Sequence, residues 1–234
     1  MPPGRPVVDV RFGILCALAA ETATFAAPHG SWLGGHDYVV HTCGPGPARA
    51  AAAARALAAD GADALVSWGL AGGLAPDWRA GDLQVAERVR DDAHEHAADA
   101  DLGAAVVARL GGAVTTHRGI LLTVAAAVTR GDAKRALRER SGAAAVDMES
   151  GAIAGVAQSY ELPFLAIRCI VDPAPFDVPA IALAGMAEDG RPRPWHTAAG
   201  ALRHPGQVPG LLVLFGHYRA AMRTLKRAAA TLAR

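Results

Sequence analysis

Residues 143–172 read AAAVDMESGAIAGVAQSYELPFLAIRCIVD, and this stretch decides the fold class. An extended segment over 143–148 leads into a predicted helix over 149–160. A β-branched, apolar strand over 164–171 then follows Pro163. This alternation indicates an α/β protein whose sheet is mostly parallel or mixed, with helices covering both faces.

The rest of the chain repeats the same alternation of short apolar strands and alanine-rich helices. Without an internal repeat, a low-complexity linker or a charge block, the simplest prediction is one domain over residues 1–234. A loop rich in Pro and Gly is predicted between 172 and 194, with helical chain after it. The other strands are predicted within 7–18 and at 38–42, 64–68, 83–89 and 119–124, and the other helices at 48–60, 102–110 and 132–140.

Composition excludes several classes of protein. The chain has 234 residues, 52% of them hydrophobic, yet Gly and Pro interrupt every apolar run before the roughly 20 residues that a bilayer requires. The high hydrophobic fraction argues against disorder, and the net charge of +1 argues against nucleic acid as a partner. The cysteines show no disulfide or zinc spacing, and the N-terminus shows no secretion signal, so a cytoplasmic protein is expected.

Three carboxylates follow predicted strands: Glu21, Glu149 and Asp172. Ligands of open α/β sheets bind outside the carboxyl ends of the strands, so these side chains are candidates for one site. Each taken alone would equally fit a solvated residue in the first turn of a helix.

Two glycine-rich segments, 44–47 and 69–73, accompany these carboxylates. Neither has the spelling of a dinucleotide-binding motif or a P-loop, and a turn that approaches a ligand or a plain tight turn fits both. The sequence also lacks the nucleophile elbow of α/β-hydrolases. His94-Glu95-His96 has two alternating histidines but no third ligand at a recognisable spacing, so no metal site is predicted.

Four segments together resemble the superfamily of nucleoside phosphorylases and methylthioadenosine/S-adenosylhomocysteine nucleosidases. The resemblance implies a three-layer αβα fold, cleavage of a purine N-ribosidic bond and a homo-oligomer, with no cofactor and no metal. The segments are 146–154, 162–172, 69–76 with Gly81-Asp82, and the opening strand that leads to Glu21.

The C-terminal part is similar to the hopanoid-biosynthesis-associated phosphorylases, on residues 173–193 and 201–212. This narrower resemblance implies removal of adenine from adenosylhopane, a lipid-linked nucleoside. Two alternatives stay open: a methylthioadenosine/S-adenosylhomocysteine nucleosidase, and a catalytically weak protein that binds purine nucleosides.

The family resemblance implies a role for each site residue. Asp172 would protonate adenine at N7, which requires a raised pKa. Glu149 would accept hydrogen bonds from the ribose hydroxyls, Met148 would pack against the sugar, and Glu21 would position or activate a nucleophilic water. The remaining residues predicted to line the substrate are Gly72, Ala71, Leu70 and Ala125.

The sequence departs from the nucleosidases at several positions. Val171 and Leu70 stand where those relatives carry serine, and the region 123–128, which includes Ala125, lacks the aromatic residue that stacks on the base. These changes predict a wider and less polar site, as a bulky apolar substrate would require.

The nucleophile is open between water and inorganic phosphate as a co-substrate. Ser67 stands where the hexameric phosphorylases carry a phosphate-binding arginine. The substitutes for that arginine are Arg49, Arg168 and the backbone of Gly44 to Gly46.

Residues 211–234 are predicted to form an amphipathic, basic helix. Such a helix fits a terminal element packed on the sheet. It would also fit peripheral contact with an anionic membrane surface, from which a lipid substrate could be reached.

Overall fold

The computed structural model describes residues 10–184 and 194–233. In this part of the chain the strands form one mixed sheet, in which β1 pairs in parallel with β3 and β4, while β8 runs antiparallel to β4. The strands are β1 (Arg11–Cys16), β2 (His29–Trp32), β3 (His36–Thr42), β4 (Ala64–Gly73), β5 (Leu83–Arg90), β6 (Glu95–Ala97), β7 (Thr116–Thr123), β8 (Ala145–Asp147) and β9 (Phe164–Asp172).

The sheet closes on itself in its central part. Its path runs β2-β3-β1-β4-β8-β7-β5-β6, and β9 pairs with both β4 and β5. The pairings β4–β9–β5–β7–β8–β4 therefore form a closed circuit of five strands, so that each of these strands has neighbours on both sides.

Helices cover both faces of the sheet, which confirms the predicted α/β class with a mixed central sheet. Helices α3 and α8 contribute to one apolar core, and helices α2 and α5 contribute to the other. The helices are α1 (Ala19–Thr22), α2 (Pro47–Ala59), α3 (Ala100–Leu110), α4 (Gly131–Ser141), α5 (Ser150–Ser159), α6 (Ala180–Ala184), α7 (Pro194–Arg203) and α8 (Val208–Leu232), with a 3-10 turn at Pro205–Gln207.

Strand β4 separates the two cores. Val66 and Trp68 point into the core under α3 and α8, and Leu65 and Ala71 point into the core under α2 and α5. A strand that is covered on both faces needs apolar residues at successive positions, which explains its continuous apolar run.

The turn predicted at 69–73 is wrong, because these residues continue β4 to Gly73. Pairing with β9, and with β8 at Gly72 and Gly73, holds them extended, and the register shifts between Ala71 and Gly72. At Gly69 the close approach of Glu21 and Arg168, rather than a turn, excludes a side chain.

Several short elements were not predicted from the sequence: β2, β6, α1 and α6. All four have only three to five residues, which is too short for a hydrophobic period to be recognised. Residues 7–9 of the first predicted segment and 185–193 of the predicted loop lie outside the described residues.

Helix α8 has two different halves. Its C-terminal half is buried through Ala221, Leu225 and Leu232, as expected for a helix packed on the sheet. Its N-terminal half leaves Leu212 and Phe215 exposed. Across the described ranges 10–184 and 194–233, no helix has both the length and the apolar character needed to cross a bilayer.

We predict that Leu225→Ala lowers the free energy of unfolding by about 2–5 kcal/mol, because it opens a cavity in a closely packed core. Leu225 is 0% exposed, whereas Leu212 on the same helix is 67% exposed. The matched control Leu212→Ala should stay within about 0.5 kcal/mol of the wild type in urea unfolding. Equal losses for the two variants would contradict the packing of α8.

Candidate active site

Glu21 is buried at the exit of β1, where the short helix α1 begins. Its Oε2 accepts a hydrogen bond of 2.9 Å from the backbone N–H of Leu18, and its Oε1 accepts one of 2.8 Å from Leu70. Burial raises the pKa of Glu21 to about 6, although Arg168 and these hydrogen bonds favour the charged form. A carboxyl group with this pKa can exchange a proton near neutral pH.

Arg168 is a buried cation on β9, where it pairs in register with Gly69 of β4. Its guanidinium Nη2 lies 2.7 Å from Oδ2 of Asp147 and donates hydrogen bonds of 2.6 Å to Ser67 and 3.0 Å to Ser150. Burial acts to lower the pKa of Arg168, but the carboxylates of Asp147, Glu149 and Glu21 raise it above its ordinary value. The positive charge of Arg168 therefore offsets the negative charges of these buried carboxylates.

Gly69 gives Glu21 and Arg168 the room that they occupy. A Cβ at Gly69 would lie 2.5 Å from Oε1 of Glu21 and 2.6 Å from Nη1 of Arg168. Such contacts are far inside van der Waals separation, so any larger residue would displace the buried charges.

Glu149 lies at the start of helix α5 and faces the N-terminus of helix α2. Its Oε1 accepts a 2.9 Å hydrogen bond from the N–H of Gly46, the residue before α2. Burial raises the pKa of Glu149, and the neighbouring Asp147 adds to this, while Arg168 opposes it. Met148, next to Glu149, is partly exposed.

Asp147 fixes the turn that presents Met148 and Glu149. Its carboxylate accepts hydrogen bonds from Oγ1 of Thr123 at 2.7 Å and from the N–H of Ser150 at 3.1 Å, and it pairs with Arg168. The sequence alone predicts no role for Asp147, because a single carboxylate before a helix carries no distinguishing pattern.

The residues predicted to bind phosphate have other partners in the structure. The N–H of Gly46 donates to Glu149, and the side chain of Arg49 lies over Gly44. Arg168 is only 1% exposed. The helix N-terminus that would attract a phosphate therefore already holds a carboxylate.

Asp172, at the end of β9, pairs with Lys134 of helix α4. Oδ2 of Asp172 lies 2.6 Å from Nζ of Lys134, which is itself 0% exposed. Nζ also donates to the carbonyls of Asp172, Pro173 and Phe176 at 3.1, 3.1 and 3.0 Å. Burial raises the pKa of Asp172 above its ordinary value, although Lys134 opposes the shift.

Lys134 was not recognised from the sequence. It stands in a predicted helix rich in charged residues, where a lysine normally lies on the solvated face. A buried lysine that donates to three carbonyls is a property of the tertiary structure alone.

The carboxyl groups of Glu21 and Asp172 lie next to two different residues of strand β4. The N–H of Leu70 contacts Glu21, and a Cβ at Gly72 would lie 3.3 Å from Oδ2 of Asp172. Two residues of a strand span about 7 Å. The two carboxyl groups therefore flank a short segment of β4.

The other residues predicted to line the substrate differ in accessibility. Leu70 and Gly72 are partly exposed on the same face of β4, as is Val171 on β9. Ala71 is 4% exposed and packs into the core, which leaves its backbone as the part that could contact a ligand. Ala125 is exposed in the segment after β7.

Helix α8 brings two further side chains to this region. The pKa of Tyr218 is raised by burial and by the charge of Glu21. His217 packs its ring against Phe176 at 5.1 Å, and burial followed by the charge of Lys134 lowers its pKa. Within the described part of the chain, Nδ1 of His217 is buried without a hydrogen-bond partner.

The fold and this set of buried carboxyl groups define an α/β domain with a candidate acid–base site at one end of its sheet. The model of the Phosphorylase superfamily matches residues 11–188, and the chain belongs to this family. No curated protein matches the sequence significantly.

Several solved structures share the fold at low sequence identity. A methylthioadenosine/S-adenosylhomocysteine nucleosidase from Helicobacter pylori is 17% identical with a TM-score of 0.68, over 95% of this chain and 99% of that one. The Colwellia psychrerythraea nucleosidase, in complex with adenine, is 24% identical with a TM-score of 0.63, over 71% and 84%. Futalosine hydrolase from Helicobacter pylori is 19% identical with a TM-score of 0.62, over 70% and 88%.

We predict that Glu21→Gln changes the pH dependence of stability. The pKa of Glu21 rises from 4.5 to about 6 in the folded protein. The folded state therefore holds this proton more tightly, and the wild type loses stability as the pH rises from about 4.5 through about 6. Relative to Glu21→Gln, this loss amounts to about 2 kcal/mol.

Urea unfolding of both proteins at pH 4.5, 6 and 7.5 measures this effect. The amide also disturbs one of the two backbone hydrogen bonds, which adds an offset that does not depend on pH. A difference between the two proteins that stays constant across this range would show that Glu21 does not carry the shifted pKa.

Proposed function

We propose that the protein cleaves the N-ribosidic bond of an adenine nucleoside and releases adenine. The observation that carries this proposal is the pair of buried carboxyl groups with raised pKa, Glu21 and Asp172, on either side of the partly exposed segment of β4. Breaking this bond develops cationic charge on the ribose and negative charge on the purine. Such a reaction needs an acid near the base and a carboxylate near the sugar.

Asp172 acts as the acid. Burial raises its pKa and so favours the protonated form, which can deliver a proton to N7 of adenine as the bond breaks. Lys134 holds the Asp172 carboxyl group in place because its ammonium group pairs with Oδ2. The ammonium group is itself fixed by hydrogen bonds to nearby backbone carbonyls. When Asp172 gives up its proton, the ammonium group stabilises the resulting carboxylate.

Glu149 and Glu21 act on the sugar side. Glu149 is oriented by Gly46, and its carboxylate accepts hydrogen bonds from the ribose hydroxyls while Met148 packs against the sugar. Glu21, whose pKa is about 6, is mostly ionised at pH 7 and accepts a proton from the attacking water. Its two backbone hydrogen bonds fix its orientation.

Water is the nucleophile that the charges favour. Glu21, Glu149 and Asp147 surround the single guanidinium of Arg168, and that guanidinium is already paired with Asp147. A phosphate dianion would meet these carboxylates at close range, and the N–H of Gly46 is occupied by Glu149. We therefore propose hydrolysis, with phosphorolysis as the alternative outcome of the assay.

We predict that Asp172→Asn lowers kcat for adenine release on the order of 100- to 10,000-fold, the contribution of a positioned general acid. The matched control Asp101→Asn lies at an exposed position in helix α3 and should leave kcat unchanged. Asp172→Asn also removes the carboxylate partner of Lys134, so urea unfolding must show that the variant is folded at the assay temperature. A folded Asp172→Asn with unchanged kcat would remove Asp172 from the mechanism.

The same assay with and without inorganic phosphate identifies the nucleophile. Hydrolysis predicts an equal rate of adenine release under both conditions, with the unphosphorylated sugar and its 5′ substituent as the second product. A rate that requires phosphate, with the corresponding sugar 1-phosphate as product, would identify a phosphorylase.

We further propose that the nucleoside carries an apolar 5′ substituent, such as the hopane chain of adenosylhopane. Leu70 and Val171 are partly exposed aliphatic residues next to the strand segments that contact Glu21 and Asp172, at positions where the family resemblance implies serine in the nucleosidases. Large exposed apolar residues lie on helices α6, α7 and α8, namely Leu183, Trp195, Leu202, Leu212, Val213 and Phe215. Arg219 and Arg223 stand on the same helix α8, so peripheral contact with an anionic membrane surface belongs to the same proposal.

A smaller apolar substituent gives the second candidate function, a methylthioadenosine/S-adenosylhomocysteine nucleosidase. The structures of similar fold include nucleosidases of this type with adenine or butyl-thio-DADMe-Immucillin-A bound. The same carboxyl groups would act on either substrate.

The homo-oligomer implied by the family resemblance stays a prediction.

A substrate panel separates these functions. We predict a higher kcat/KM for an adenosyl-hydrocarbon analogue than for methylthioadenosine or adenosine, because the longer chain buries more apolar surface. Equal or higher kcat/KM for methylthioadenosine would favour the second candidate, and binding without adenine release would indicate a purine-binding protein.

Flotation with anionic liposomes tests the membrane contact by comparing the wild type with Phe215→Ser. Equal partitioning of the two proteins would contradict the contact.

A further inference from the structure

The hairpin between β5 and β6 carries a cluster of metal-ligating side chains outside the carboxyl site. Asp91 follows β5, and its backbone N–H donates a 2.9 Å hydrogen bond to the carbonyl of His94, which closes a tight turn. His94 immediately precedes β6 and His96 lies within it, and the centroids of their rings are 5.8 Å apart. One ligand atom from each of Asp91, His94 and His96 lies within 4.8 Å of the other two.

Only two of these three ligands form a pattern in the sequence. The spacing of His94 and His96 is visible in the sequence, but Asp91 comes before the turn and approaches them only because the hairpin folds back. The third ligand is thus a consequence of the tertiary structure.

The Asp91 carboxylate is held with a different oxygen near each of the two histidines. Its Oδ1 accepts hydrogen bonds from the backbone N–H groups of Ala93 at 2.8 Å and His94 at 2.7 Å. Its Oδ2 lies 3.9 Å from Nε2 of His96.

The imidazole of His96 is oriented by a second partner. The side chain of His96 is only 9% exposed, and its Nδ1 lies 2.9 Å from Oε1 of Gln158 on helix α5. With the proton on Nδ1 and donated to Gln158, Nε2 presents its lone pair towards Asp91. Histidine ligands of metals are normally held in this way by a hydrogen bond from the other ring nitrogen.

The ligand separations fit a small divalent ion. Two ligands of a tetrahedral zinc ion at about 2.1 Å from the metal stand roughly 3.4 Å apart. Nδ1 of His94 lies 3.7 Å from Oδ1 of Asp91, and Nε2 of His96 lies 3.9 Å from Oδ2, so each histidine approaches a different carboxylate oxygen and the ligands move closer together when they bind an ion. The His94 side chain is 70% exposed, so its ring can close the remaining distance.

The opposite face of the hairpin holds the charges that would repel a cation. Arg88 and Arg90 both pair there with Glu95, which points away from the two histidines between which it lies. The imidazole face is thereby separated from the arginines.

We propose that Asp91, His94 and His96 bind a divalent transition-metal ion of the zinc class. Two imidazoles and one carboxylate suit zinc and its neighbours rather than Mg²⁺ or Ca²⁺, which prefer oxygen ligands. The fourth position is left to water. Oδ2 of Asp91 lies 3.1 Å from the position of a Cβ on Gly151, so the site packs closely against the first turn of α5.

Metal titration of the full chain tests the site. Protein treated with a chelator is titrated with Zn²⁺ against a chromophoric competitor, and Co²⁺ absorption reports the coordination geometry. We expect one ion per chain in the wild type and at least tenfold weaker binding in His94→Ala and His96→Gln. His41→Ala, at another exposed histidine, is the matched control and should bind like the wild type.

Gln158 provides an independent test, because it contacts His96 without being a ligand. Gln158→Leu should weaken zinc binding about tenfold, and Gln158→Glu should retain it, since a carboxylate accepts the same hydrogen bond. Zinc should also raise the Tm of the wild type but not that of His94→Ala.

Unchanged zinc affinity in His94→Ala and His96→Gln would overturn the site. Equal losses in His41→Ala would do the same, since they would indicate adventitious binding to surface histidines. The exposed position of His94 keeps the test decisive even if His96→Gln proves to be unstable.

Discussion

The guanidinium of Arg168 is the constraint on which the interior of this domain depends. It joins strand β9 to β8 through Asp147, to β4 through Ser67 and to helix α5 through Ser150. A buried charge of this kind is strongly destabilising without its partners, so these elements are held in one arrangement. The same cation lies within the electrostatic reach of Glu21 and Glu149, which links the stability of the interior to the charges of the candidate site.

A second buried cation, Lys134, gives the site its asymmetry. Asp172 forms a direct ion pair with Lys134. Glu21 interacts with the charge of Arg168 without a direct ion pair, and backbone N–H groups orient its carboxyl group. Two carboxyl groups in different surroundings can hold different protonation states at one pH. An acid and a base can therefore coexist near one another, as cleavage of an N-ribosidic bond requires.

The sequence predicted most of the long elements and the presence of carboxylates at strand ends. Its apolar period and the order of strands and helices were enough for the α/β class. It could not predict that Gly69 to Gly73 stay in a strand, because the pairing partners β8 and β9 lie about 75 to 100 residues away in the chain. Local glycine content resembles a turn when those partners are unknown.

The electrostatic partners were harder to predict for a related reason. Lys134 and Asp147 have no local pattern that sets them apart from solvated residues, and the sequence does not indicate that Arg168 pairs with Asp147 and donates to Ser67 and Ser150. Tyr218 and His217 stand in an amphipathic helix, where the sequence indicates packing but not which polar groups they approach. Burial decides the roles of all these residues, and burial depends on contacts between distant segments.

The closed circuit of strands has a consequence for how the chain reaches its native state. Strand β4 is complete at Gly73, but its partner β9 begins at Phe164 and also supplies Arg168. During synthesis β4 emerges from the ribosome long before β9. Until β9 is made, the edge of β4 that pairs with it stays unpaired. Such long-range pairing makes folding slow and exposes the nascent chain to aggregation. The acidic interior also lacks its main cation until that last strand arrives, so the order of translation itself delays assembly of the site.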